Sequence, residues 1–201
     1  AKAYSFWWSN GDKIWVGSQQ SDPLTESSNY DYFANFVLPS VPQSGDQVIY
    51  NMMANTSAEA STAVVPAEQD ASKSLGENGA FGQAELYYVN SVYAFSLENE
   101  YKTNFVNFNI KALPSGATLK SIRLDAGNAI VAGSAAWSSN DGWGEVSNGS
   151  STIDLKVNKS SVSADDYITM VILPPANMTI PSAKITYELE ISGATKYYTQ
   201  T

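Results

Sequence analysis

The 201-residue chain has a formal net charge of −9, a sequence pI near 4.4, no cysteine and no histidine. Those absences remove disulfides, thiol nucleophiles, thiolate or imidazole metal sites and Ser-His-Asp triads, and the scarcity of cations removes binding to nucleic acid or to an anionic membrane surface. With 43% hydrophobic and only 15% charged residues, and a remainder rich in Ser, Thr, Asn, Gly and Ala, residues 1–201 read as one all-β domain large enough to bury a full core.

Residues 3–8 (AYSFWW) and 13–17 (KIWVG) flank Ser9-Asn10-Gly11-Asp12, and two aromatic-rich strands about an Asn-Gly turn predict a hairpin. Trp7, Trp8 and Trp15 fit either the core of a sandwich or an aromatic binding platform, the core being the ordinary fate of strand aromatics. Residues 18–30 read as a polar loop. Strands are predicted at 31–38 (DYFANFVL) and 46–54 (DQVIYNMMA), separated by Pro39, Pro42 and Gly45. Residues 55–84 are the least periodic stretch and read as a long surface loop inserted between strands. Within it, 55–63 suits a short helix, with Thr56 or Ser57 as N-cap and Glu59 in the first turn. Aromatic density resumes at 85–97 (ELYYVNSVYAFSL).

The central stretch, 104–135, organises the rest. Val106, Phe108, Ile110 and Ala112 alternate with Asn107, Asn109 and Lys111, the period-two pattern of a half-buried strand. Leu113-Pro114-Ser115-Gly116-Ala117 breaks it. A second run places Ile122, Leu124 and Ala126 opposite Ser121, Arg123 and Asp125, and Ile130-Val131-Ala132-Gly133 begins a third. Residues 136–151 read as a turn-rich loop. Strands follow at 152–157, 167–173, 183–192 and 195–200. The 167–173 run (YITMVIL) is apolar on both faces, as a central strand would be, and ends sharply at Leu173-Pro174-Pro175. In 183–192, Ile185, Tyr187, Leu189 and Ile191 face inward, while Lys184, Thr186, Glu188 and Glu190 face out. About nine to eleven short, turn-separated strands predict an antiparallel β-sandwich.

Few residues suit chemistry. Glu188 and Glu190 share a strand face, as a glycosidase's two carboxylates share a cleft, but they alternate with core residues as a solvated face does. Asp165-Asp166 and Glu98-Asn99-Glu100 read as turns. Ser138-Ser139-Asn140-Asp141-Gly142 has oxygen donors, yet an EF-hand register fails at Trp137 and at the closing glutamate. No metal, cofactor or catalytic residue is therefore expected, and the chain reads as non-enzymatic. The best candidate ligand site is Trp137 and Trp143 bracketing a loop with Asn140 and Asp141, because indoles offer apolar area with a polar edge to a sugar ring. The first residues, AKAYSFWWSN, lack an apolar core followed by a small-residue cleavage site, which fits a cytosolic chain or, preferably, a processed one.

The ordered signposts, taken together, resemble the fimbrillin family of pilin-like surface proteins of Bacteroides and Porphyromonas type. They are Gly11-Asp12-Lys13-Ile14; Pro66-Ala67-Glu68-Gln69; the strand from Phe105 to Ala112; Leu119-Lys120-Ser121-Ile122-Arg123-Leu124; Ile130-Val131-Ala132-Gly133; the strand from Tyr167 to Pro174; and the Tyr-rich final hairpin. The resemblance implies a transthyretin-like sandwich of the kind found as the family's N-terminal domain, with the second sandwich absent. It further implies export as a lipoprotein to the outer membrane or a fimbrium, and a structural or adhesive role beside other fimbrial or surface subunits joined by strand exchange. The chain departs from the pattern in having no lipobox cysteine and no arginine near its start. The aromatic run 3–8 is the natural displaceable strand, because it is terminal and flanked by a weak turn. The alternative function is a glycan-binding module of a polysaccharide-capture system.

Overall fold

The computed structural model describes residues 8–25, 33–163, 167–174, 180 and 182–201. Among these are seventeen strands and no helix: β1 (Trp15–Val16), β2 (Gln19–Gln20), β3 (Gln47–Asn51), β4 (Thr62–Val65), β5 (Glu68–Asp70), β6 (Phe81–Glu85), β7 (Tyr87–Val89), β8 (Val92–Ala94), β9 (Asn104–Phe108), β10 (Ala117–Asp125), β11 (Ala132–Ser138), β12 (Gly142–Trp143), β13 (Ser147–Ser150), β14 (Thr152–Lys159), β15 (Ile168–Ile172), β16 (Lys184–Ile191) and β17 (Ala194–Gln200). The all-β sandwich expected from the sequence is what forms. A five-stranded sheet, ordered β17-β16-β10-β14-β5, faces smaller sheets built on β2-β1-β3-β6, on β11 with β4, β12 and β13, and on β9 with β15. All ladders are antiparallel except β14–β5.

One continuous core joins these layers. Leu119, Ile122 and Leu124 of β10 and Ile153 and Leu155 of β14 meet Val48 and Tyr50 of β3, Phe81 of β6, and Met170 and Val171 of β15. Leu119 and Ile122 are both buried although they stand three apart, a spacing that would send them to opposite faces of a regular strand. The β10–β16 ladder slips between Leu119 and Ser121, so Lys120 is the extra residue of a bulge against β16 and the inward phase resumes at Ile122.

Several expectations change. The run 3–7 lies outside the described residues. Trp8 is buried, with its ring edge-to-face on Phe36, Tyr50 and Phe95. Among the described residues β1 pairs not with 3–8 but with β3 and with β2, which the polar loop 18–30 was not expected to supply. The β1–β2 connection is Gly17-Ser18, with Gly17 at φ 58°. Of the strand expected at 31–38, residues 33–38 keep the alternation, with Ala34, Phe36 and Leu38 inward, but form no ladder. A backbone bond from Asp22 N–H to the Val37 carbonyl ties them to the sheet.

Residues 55–84 are not a surface insertion. They contribute β4, β5 and the start of β6, and bury Ala60, Ala63, Val65, Gln69, Asn78 and Ala80. The short helix at 55–63 is replaced by successive i→i+3 turns, because the Asn51 amide donates to the carbonyls of Ala60 and Thr62 at 3.0 and 2.9 Å. Residues 85–97 fold into the hairpin β7–β8 around Asn90 and Ser91, both at positive φ. Residues 136–151 are likewise mostly strand. Lastly β15 is buried on both faces but, among the described residues, is not flanked by two strands: β9 pairs one edge, and on the other the Gln69 side chain stands in for a strand. Gln69 Nε2 donates to the Val171 carbonyl at 2.7 Å and its Oε1 accepts from the Val171 N–H at 3.0 Å.

Candidate functional site

The sequence pointed to Trp137, Trp143, Asn140 and Asp141. The structure brings all four to one hairpin, β11–β12, where Trp137 and Trp143 are directly opposite each other. The two indoles do not project as free platforms. Their centroids lie 5.1 Å apart in an edge-to-face pair, Trp143 packs on Phe81 at 5.8 Å, and the Lys102 ammonium sits 5.6 Å from the Trp137 ring. Both are half-buried against the core. The hairpin loop is organised internally, with Ser138 Oγ donating to Asp141 Oδ2 at 3.2 Å and accepting from the backbone N–H groups of Asn140 and Asp141. No group of three or more potential metal-ligating side chains occurs among the described residues.

The carboxylates fall into turns and ion pairs. Glu188 accepts from the Ser121 hydroxyl at 3.0 Å, and Glu190 lies 3.9 Å from the Lys120 ammonium across the same sheet face. Glu98 to Glu100 form a turn closed by the Glu100 N–H on the Leu97 carbonyl. Asp165-Asp166 lie outside the described residues. One carboxyl is buried in the core. Asp12 accepts from the Tyr50 hydroxyl and from the Ser9 N–H, each at 2.8 Å, and burial raises its pKa to about 6. It anchors the turn at Ser9 to Asp12 to the middle of β3 and is 1% exposed.

The feature best placed for contact with another molecule is an edge. The five-stranded sheet ends on one side at β5 and on the other at β17, and the two ends are treated differently. At β5 the outward backbone groups of Asp70 are taken by the buried Asn78 amide: the Asp70 N–H donates to Asn78 Oδ1 at 3.0 Å, and Asn78 Nδ2 donates to the Asp70 carbonyl at 2.9 Å. At β17 no such plug exists among the described residues. All seven of its residues are exposed, and its ladder partner is β16. Ser192 and Gly193, at φ 51° and 76°, make a two-residue turn, one position earlier than the sequence suggested. In a hairpin closed this way Ala194 is a hydrogen-bonded pair with Ile191. Alternation then turns the N–H and carbonyl groups of Thr195, Tyr197 and Thr199 away from β16. Tyr197 and Tyr198 stand on opposite faces of this strand, 67% and 51% exposed.

Sequence reading placed β17 correctly but missed the contrast between the edges. A signal was present: ATKYYTQ lacks the apolar alternation of its neighbour β16, so neither face has a core to meet. No signal marked Asn78. No family model, curated protein or solved structure matches the chain.

Proposed function

We propose that this protein is a non-enzymatic structural component of a cell surface, a fimbrial or fimbria-associated subunit that joins its neighbours by adding strands to the edge of its five-stranded sheet. The observation that carries the proposal is the one-sided edge. An unpaired strand edge is a template for another chain, and folded proteins ordinarily cover it, shorten it or load it with charge. Here β5 is short and closed by Asn78, whereas β17 is seven residues long, carries Lys196 as its one charge and presents two tyrosines. The resemblance to fimbrillins points the same way, toward an exported protein that acts through protein contacts. The open edge is a different strand from the run 3–8 that the sequence suggested as displaceable; of that run only Trp8 is among the described residues, and it is buried.

The test uses proline. Thr195→Pro with Thr199→Pro removes two outward-facing N–H groups and leaves the β16–β17 ladder its hydrogen bonds. In sedimentation velocity over a concentration series, the wild-type chain is expected to self-associate. The double variant is expected to stay monomeric, with a melting temperature within a few degrees of wild type. A wild type that remains monomeric at all concentrations, or a variant that associates equally well, would overturn the proposal.

A further inference from the structure

A second surface feature is independent of the β17 edge. Beside Trp137 lies an open cleft of about 440 Å³, within the range of roughly 300–1,000 Å³ usual for small-ligand sites. Its floor is the outer face of β6 and its neighbours. Gln47 of β3 stands beside Gln83 and Glu85 of β6, and Glu100 and Lys102 follow on the segment that bridges β6 through Gly82 and Tyr101. The two hairpins form its walls, each with an aromatic side chain: Tyr87 from β7 and Trp137 from β11.

Four of the floor side chains are held in two pairs. Gln83 Nε2 donates to Gln47 Oε1 at 2.8 Å, and the Lys102 ammonium donates to Glu100 Oε2 at 2.8 Å while resting over the Trp137 ring. Each pair uses one donor and one acceptor. The second Gln47 and Gln83 amide groups, the Glu85 carboxylate, the remaining Glu100 oxygen and two ammonium protons keep hydrogen-bonding capacity on residues that line the cleft. Fixed polar groups of this kind lose little entropy on binding. Tyr87 is 46% exposed, and no other ring among the described residues stacks on it.

Vicinal hydroxyls pair best with carboxamides and carboxylates that offer adjacent donors and acceptors, and the apolar C–H face of a pyranose packs on an aromatic ring. Two carboxylates against one ammonium, in a protein of net charge −9, disfavour an anionic ligand. The cleft is open to solvent rather than enclosed, so it suits a sugar unit within a chain. From this we infer that the cleft between the β7–β8 and β11–β12 hairpins is a binding site for neutral pyranose oligosaccharides, with Tyr87 as the stacking platform and Gln47, Gln83 and Glu85 as the hydroxyl-reading groups. Trp143, Asn140 and Asp141, grouped with Trp137 on sequence grounds, do not line it.

The experiment is a calorimetric and tryptophan-fluorescence titration of the full chain with maltohexaose, cellohexaose and mannohexaose, and with a sulfated hexasaccharide as the anionic control. At least one neutral probe is expected to bind, with a Kd on the order of 0.1–1 mM as befits an open site. Binding should be insensitive to added salt and weakened about tenfold or more by Tyr87→Ala and by Gln83→Ala. Gln83 is half-buried and Tyr87 exposed, and neither belongs to the core, so circular dichroism should show both variants folded. No binding by any of the three neutral probes would overturn the inference. So would binding confined to the sulfated probe, or binding that survives Tyr87→Ala unchanged. Because β17 is not part of the cleft, the proline variant of that strand is expected to bind sugar as wild type does.

Discussion

Asp12 is a carboxylate whose chemistry departs from its exposed counterpart within the range of ordinary pH. It is 1% exposed, and its two hydrogen bonds offset only part of the cost of desolvating a carboxylate, so its pKa rises from 3.8 to about 6. A carboxyl raised in the folded state contributes stability that is fully present below pH 4 and is lost as pH climbs through 6. At 1.36 kcal/mol per unit, the loss amounts to about 3 kcal/mol. Asp70 shifts in the opposite sense: hydrogen-bonded by Ser72 and beside Lys156, it is lowered to about 2. The effect of Asp12 is therefore isolated by difference. Urea unfolding of wild type and Asp12→Asn across pH 4 to 7 should show the stability gap moving toward the variant as pH rises. A gap independent of pH would refute the assignment. At this scale the sequence was only partly legible. Asp12 read as a turn residue, which it is, since its N–H donates to the Ser9 carbonyl; that Tyr50 lies behind it is set by a contact 38 residues away.

Strands with one wet face were legible because alternation in the sequence reports burial directly. β10, β14 and β16 fall where Ile122, Leu124, Ile153, Leu155 and Leu189 place them. What alternation cannot report is which neighbour completes an edge. β15, apolar on both faces, read as a central strand, yet beyond β9 its edge is met by a side chain, and β5 is closed by another. Gln69 and Asn78 sit in a stretch of small and polar residues that read as a loop, and their carboxamides imitate the donor-acceptor pair of a backbone. The segment 33–38 shows the converse, an alternating run with no ladder. Gln69→Leu keeps the side chain's bulk but leaves the buried N–H and carbonyl of Val171 without their partner. Each orphaned group costs on the order of 1–3 kcal/mol, so a loss of about 3 kcal/mol in chemical denaturation is expected. A change below about 1 kcal/mol would mean that water or another group replaces the amide.

For the molecule as a whole, composition excluded more than it selected: acidic, without cysteine or histidine, and with a single arginine. The function proposed rests on an asymmetry visible only once the sheet is assembled, with one edge closed by Asn78 and the other presenting β17 to solvent. That asymmetry has a signature at single amides. Thr195, Tyr197 and Thr199 point away from β16, whereas Lys196 and Tyr198 point toward it. Residue-resolved amide hydrogen exchange, on dilute monomer and on concentrated or assembled protein, measures both sets together. If β17 is the docking strand, Thr195, Tyr197 and Thr199 exchange fast in the monomer and become protected on assembly, while Lys196 and Tyr198 are already protected. Fast exchange at Thr195, Tyr197 and Thr199 in the assembled protein, equal to that in the monomer, would contradict it.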